Sequence, residues 1–245
     1  MVTLCYILIA VALLPYIAVP ILIWNTQRFT CAFHLRVIQE TFLPKSVVAE
    51  FTKTSDALLA NDFQHCFDAA SQDEFLGMRF YHRILVNRLQ RTWAICTGIC
   101  DPEGSLQKSY LELKSQLQNR RLFSTHNSEL LGAPIKSSRM RTIVLPSDTP
   151  TEVMVKIHVA NLNKLQPSDL LEPDSTLAVE TFKQFLTEDH EEQLELGAIY
   201  FDDNEKVYRP TWAGAILIGW YSMWPLTLIR RFINALRIRM KYARP

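Results

Sequence analysis

No charged side chain occurs before Arg28. At 1.5 Å per residue, a helix over Thr3–Trp24 is about 33 Å long, enough to cross a hydrocarbon core of about 30 Å. In lipid every backbone polar group must be satisfied internally, and a helix does this within its own segment. Pro15 and Pro20 interrupt the run. Membrane helices tolerate such breaks where neighbours supply partners for the freed carbonyls. A cleaved signal peptide needs a basic n-region and an A-x-A-like site, and neither precedes Arg28. Residues 3–24 are therefore expected to stay as a transmembrane anchor.

A second uncharged block, PTWAGAILIGWYSMWPLTLI, spans Pro210 to Ile229. Trp212 lies at one end and Trp224 near the other, as interfacial anchors do. The tail, residues 230–245, carries Arg230, Arg231, Arg237, Arg239, Lys241 and Arg244 and no acid. Phe232, Ile233, Leu236 and Met240 recur in it at helical spacing, which predicts an amphipathic helix on anionic headgroups. Gly214, Gly219 and Pro225 interrupt the second block, and a buried core helix with a solvated basic end is the alternative. Val207–Arg231 resembles the C-terminal membrane segment of uncharacterised bacterial proteins of the planctomycete type. Tyr-Arg-Pro-Thr-Trp entering a hydrophobic run that closes with Trp-Pro carries the resemblance. It covers about a tenth of the chain, implies a membrane segment, and brings no activity with it.

The basic tail places the C-terminus in the cytoplasm by the positive-inside rule, so with two spans residues 25–209 face out. Arg28 and Arg36, just after the first span, pull the other way, but six basic residues outweigh two. If the second block only lies in the interface, the middle domain is cytoplasmic instead. Neither block carries an ionisable group to line an ion path, which disfavours a transporter subunit.

Across the chain 26 basic residues nearly balance 25 acidic ones, which offers no global attraction for nucleic acid. The charge is nevertheless segregated. From Arg79 to Arg141 there are 11 basic and 4 acidic residues, and from Ser168 to Glu205 there are 12 acidic and one basic, Lys183. Such faces are solvated, complement each other within the fold, or receive an oppositely charged protein partner.

In the middle domain Val47, Val48, Phe51, Ser55, Leu58 and Leu59 form a helical stripe after Pro44. Ser71-x-x-Glu74 has the form of a capping box. Residues 75–89 satisfy both helical and strand periods. TWAICTGIC, Thr92–Cys100, is β-favouring, and Leu111, Leu113 and Leu117 alternate before QNRR turns the chain into Leu122–Thr125. Thr149-Pro150-Thr151-Glu152 predicts a helix start with Thr149 as N-cap, although the residues after it alternate like a strand. Ala178, Phe182, Phe185 and Leu186 predict an amphipathic helix with TEDHEE at its end, and AIYF and KVYR a hairpin around Asp202–Glu205. The expected fold class is α+β: a small antiparallel sheet with packed helices, flanked by N-terminal and C-terminal transmembrane helices.

Chemistry is sparsely signalled. There is no G-x-S-x-G, H-E-x-x-H, P-loop or G-x-G-x-x-G, and only seven glycines are available for phosphate-cradling loops. Cys31, Cys66, Cys96 and Cys100 are an even set that allows disulfides outside the cytoplasm. On a strand, however, Cys96 and Cys100 stand about 13 Å apart, too far to join. His65-Cys66 with Cys96-x-x-x-Cys100 meets no zinc spacing, so neither metal nor cofactor is expected. The acidic pairs Asp202-Asp203 and Glu191-Glu192 fit solvated turns and helix ends better than a cation site. His126, in the polar cluster Thr125–Ser128, is the strongest catalytic candidate, with Cys66 and Cys96 as candidate nucleophiles. His158 is expected as a half-buried structural histidine. A membrane-anchored binding or assembly module is the leading expectation, and a membrane-bound hydrolase using a Cys/His pair is the alternative.

Overall fold

Strand and helix signals resolve into five α-helices and ten β-strands among the described residues of the computed structural model, which are 2–30, 35–72, 78–118, 121–128 and 139–223. The described residues fall into two compact units, one built from 2–30 and 187–223 and the other from 35–186.

The larger unit is organised on a seven-stranded sheet. Its strands are β2 (Arg36–Ile38), β3 (Gln64–Gln72), β4 (Arg79–Asn87), β5 (Thr92–Cys100), β6 (Leu106–Leu117), β7 (Arg121–His126) and β8 (Met140–Val144), side by side in that order. Neighbours are antiparallel except β7 and β8, which run parallel. The expected antiparallel meander is thus present from β3 to β7, but the sheet is larger than expected and mixed. Ser71 lies within β3, paired with Phe80, so the expected capping box is not made. Pairing with β4 captures the segment before any helix can start at Ser71.

Both faces of this sheet are covered. On one side α2 (Lys45–Leu59) buries Val47, Phe51, Ser55 and Leu58, the stripe read from the sequence. Beside it α3 (Thr151–Leu162) buries Met154, Val155, Ile157 and His158. The cap at the start of α3 differs from expectation: Pro150 occupies the N-cap position and no side chain caps the helix. These helices close over Tyr81, Leu85, Ala94, Cys96, Leu111 and Leu113. On the opposite face Ala178, Phe182 and Phe185, from the first half of α4 (Ala178–Glu195), pack on Phe67, Ala69, Ile84, Val86, Trp93 and Ile95. Alternate residues of β4 and β5 therefore enter two different cores, which is why Arg79–Asn87 lacks the polar face of a one-sided strand.

In the smaller unit β1 (Phe29–Thr30), β10 (Val207–Pro210) and β9 (Ile199–Asp202) form an antiparallel sheet in the order β1-β10-β9. The β9–β10 hairpin matches the expected one, with Lys206 at φ 56° closing the turn. Two apolar helices adjoin this sheet: α1 (Val2–Thr26), which contains Pro15 and Pro20, and α5 (Trp212–Ser222). The second hydrophobic block is not one helix over 210–229. Pro210 belongs to β10, and α5 stops at Ser222 with an extended C-cap at Met223. The side chains of residues 2–12 lie outside the described part. Among the described residues no helix is long and apolar enough to cross a membrane.

Candidate functional site

His126 ends β7, and its register places it opposite Glu112 on β6, with Ser124 opposite Lys114. All four side chains are buried. Ser124 Oγ donates to Glu112 Oε1 at 2.8 Å, and Lys114 Nζ lies 3.4 Å from Glu112 Oε2. The Lys114 ammonium also sits 5.2 Å from the centroid of the Phe185 ring. A desolvated ammonium is stabilised both by a carboxylate and by an aromatic face. Register thus sets a carboxylate, an ammonium, a hydroxyl and an imidazole on two adjacent strands, with the ammonium against Phe185 of α4. Sequence reading found only His126. On a strand buried from both sides, the polar members of an alternating pattern look like a solvated face, so Glu112 and Lys114 gave no signal.

Two other histidines are structural. His158 is wholly buried rather than half-buried, with Nε2 3.1 Å from Ser115 Oγ and Nδ1 3.0 Å from Thr125 Oγ1. Burial pushes its pKa down to about 3. On the α4 face His82 contacts Thr97 Oγ1 at 3.1 Å and Ser71 Oγ at 3.3 Å beneath the Phe182 ring, and burial likewise lowers it to about 3. Both imidazoles are neutral parts of the core.

Arg83 gathers a third polar group on the face of α2. Its guanidinium takes both oxygens of Asp68, at 2.8 and 2.9 Å, and reaches Glu40 at 2.7 Å while lying over the Phe51 ring. Burial raises the Asp68 pKa, but the hydrogen bonds from Arg83 and His65 outweigh it and hold the carboxyl below its usual range. This is a fork-to-carboxylate pair that ties the 3₁₀ turn at Glu40 to the sheet.

The thiols are not set up as nucleophiles. Burial raises Cys66 to about 11 and Cys96 to about 12, and it raises Cys100 as well. A nucleophilic cysteine needs the opposite shift. Cys96 enters the core under α2 and α3, the face of the sheet opposite His126. Cys66 is on β3, four strands from β7, or about 19 Å at the usual strand spacing. Neither candidate thiol is brought together with His126. Cys66, Cys96 and Cys100 form no disulfide, and Cys31 lies outside the described residues. Among the described residues no group of three His, Cys, Asp or Glu side chains could hold a metal ion. Asp202 instead organises its turn, accepting from Arg209 at 3.1 Å and from the Asn204 amide at 3.0 Å.

The smaller unit presents a different kind of surface. Trp24 near the end of α1 meets Trp212 at the start of α5 edge-on, with centroids 5.9 Å apart. Further along, Gly219 packs against Pro20, where an added Cβ would lie 3.2 Å from the proline ring. Trp220 Nε1 then donates to the Tyr16 carbonyl at 3.2 Å. The helices are therefore antiparallel. Pro20 has no N–H to give the carbonyl four residues earlier, and that carbonyl is Tyr16's. The indole of α5 supplies the missing donor. Leu13, Leu14, Ile17, Ile21 and Leu22 of α1 remain 42–62% exposed.

Polarity changes abruptly beyond the two tryptophans. Arg28 Nη1 donates to the Asn25 carbonyl at 2.9 Å, and its Nε meets Glu205 at 2.6 Å. Arg209 bridges Asp202 and also reaches the Asn25 carbonyl. Cationic donors at a helix C-terminus satisfy the last carbonyls and oppose the negative end of the dipole. Of the expected interfacial residues, Trp212 is exposed at the first position of α5. Trp224, Arg230, Arg231, Arg237, Arg239 and Lys241 lie outside the described residues. No protein-family model, no curated protein and no solved structure matches this chain.

Proposed function

We propose that the chain is an integral membrane protein of the cell envelope whose α+β unit is a binding or assembly module without chemistry of its own. The observation that carries the membrane half is the outer face of α1, where Leu13, Leu14, Ile17, Ile21 and Leu22 are turned outward on a helix without a charge. Exposed apolar surface of this kind marks contact with lipid or protein rather than water. The basic tail after Ile229 favours a cytoplasmic C-terminus and an extracytoplasmic middle domain, with the tail on anionic headgroups.

The binding half draws support from chemistry spent on structure. His82, His158 and the Arg83–Asp68 pair have their hydrogen bonds within the core. Cys66 and Cys96 are held as neutral thiols. Arg79, Lys108 and Arg121 of the basic segment are exposed, offering contacts to an acidic protein partner.

The test uses the full-length tagged chain in bacterial membranes. Resistance to alkaline carbonate extraction, accessibility of the middle domain to an impermeant protease on intact spheroplasts, and a partner released by rising salt are the expected results. Extraction by carbonate overturns the anchor. A monomer indifferent to salt overturns the module.

A further inference from the structure

We infer that the α1–α5 pair enters a phospholipid bilayer end-on, with the Trp24–Trp212 contact at the headgroup boundary and Trp220 deeper among the acyl chains. This rests on the membrane-anchor reading and adds to it an occupant, an orientation and a depth.

Three observations converge on hydrocarbon as the occupant of the α1 face. The outward side chains Leu13, Leu14, Ile17, Ile21 and Leu22 present an uninterrupted apolar surface, with no charge on α1 to interrupt it. The carbonyl that Pro20 releases at Tyr16 is bonded by the Trp220 indole. Water would serve such a carbonyl on a soluble helix, whereas in hydrocarbon it needs a donor from the protein. Among the described residues, Arg28, Arg209, Asp202 and Glu205 form one ionic cluster on the other side of the two tryptophans.

The boundary itself has the composition of a membrane interface. Trp24 and Trp212 are half exposed, and Tyr200 and Phe201 of the adjoining hairpin are exposed as well. Trp and Tyr rings concentrate at headgroup level because one part is apolar and another donates hydrogen bonds. The eight residues from Trp212 to Trp220 at 1.5 Å each place Trp220 about 12 Å farther in. Because α1 ends and α5 begins at the same sheet, residues 27–211 leave and rejoin the helix pair at one side of the bilayer.

The experiment reconstitutes the intact chain in phosphatidylcholine vesicles brominated either near the headgroup end or near the methyl end of the acyl chains. The contribution of each tryptophan is the difference between the parent chain and Trp24→Phe, Trp212→Phe or Trp220→Phe. The inference expects shallow bromines to quench Trp24 and Trp212 more strongly, and deep bromines to quench Trp220 more strongly by about twofold. In the unsubstituted chain, a lipid-soluble carbene should label Leu14, Ile17 and Ile21 and spare Pro20 and Gly219, which guards against a misfolded variant. If all three tryptophans respond only to shallow bromines, the pair lies flat in the interface; the end-on entry is overturned while the anchor stands. If Trp24 or Trp212 responds chiefly to deep bromines, the depth assignment is overturned. Absence of both quenching and labelling overturns the anchor together with the inference.

Discussion

Lowering the pH from 7.5 to 5 sets His82 and His158 against their surroundings. Each is buried and neutral, with its pKa down to about 3, while an unfolded histidine titrates near 6.5. Between these values the unfolded chain binds protons that the folded chain refuses, so stability rises with pH through this window and is lost as pH falls. At pH 5 the unfolded side chains are about 1.5 pH units below their pKa. That amounts to about 2 kcal/mol for each histidine and about 4 kcal/mol for the pair. The assay is urea unfolding of the detergent-solubilised full chain at both pH values, followed by far-ultraviolet circular dichroism. His158→Gln removes one titrating group and should halve the loss between pH 7.5 and 5, whatever it does to stability at pH 7.5. The carboxyl of Asp68, held below its usual range, loses its contribution only at lower pH and leaves this window clear. Equal stability at the two pH values, or an undiminished loss in His158→Gln, would refute the assignment of neutral buried imidazoles.

Replacing Gly214 by Ala would place a Cβ 1.9 Å from the Ala198 carbonyl oxygen, a backbone atom that cannot swing aside. Thermal melting in detergent should show a loss of at least about 3 kcal/mol, and an unchanged midpoint would show that this close approach is not made. Arg83→Met strips Asp68 of its bidentate partner in a buried site, with an expected cost of about 3–5 kcal/mol in urea unfolding at pH 7.5. The double variant Arg83→Met with Asp68→Asn should recover part of that loss. Cys66 and Cys96, held near 11 and 12, should react with a thiol-alkylating reagent at pH 8 at least about a hundredfold more slowly than in urea-unfolded chain. Rapid modification of either would restore a case for cysteine chemistry.

Much of the architecture is local and could be read directly. The stripe from Val47 to Leu58 specifies one face of α2, TWAICTGIC specifies β5, and the Phe182–Phe185 spacing specifies the buried side of α4. These assignments depend on which side chains a segment must hide within two turns or one strand, and that information lies within a few residues. The uncharged run of α1 is equally local, and so is the hairpin around Asp203 and Asn204.

What the sequence did not disclose depends on contacts between residues distant along the chain. Glu112 and Lys114 look solvated by their alternation with Leu111 and Leu113, yet α4 covers the second face and turns them into a buried ion pair. Ser71 has the spacing of a helix cap, but hydrogen-bonded pairing with β4 outcompetes a single capping bond. Neither the parallel approach of β8 to β7 nor the placing of Cys96 and His126 on opposite faces leaves a trace in spacing. The sequence of α1 determined that this helix carries no charge, and Pro20 determined that it would leave a carbonyl open. Only the tertiary pairing, 204 residues along the chain, decided that Trp220 would fill that need. Local composition sets which groups demand burial or a hydrogen bond; the assembled chain determines which distant group supplies it.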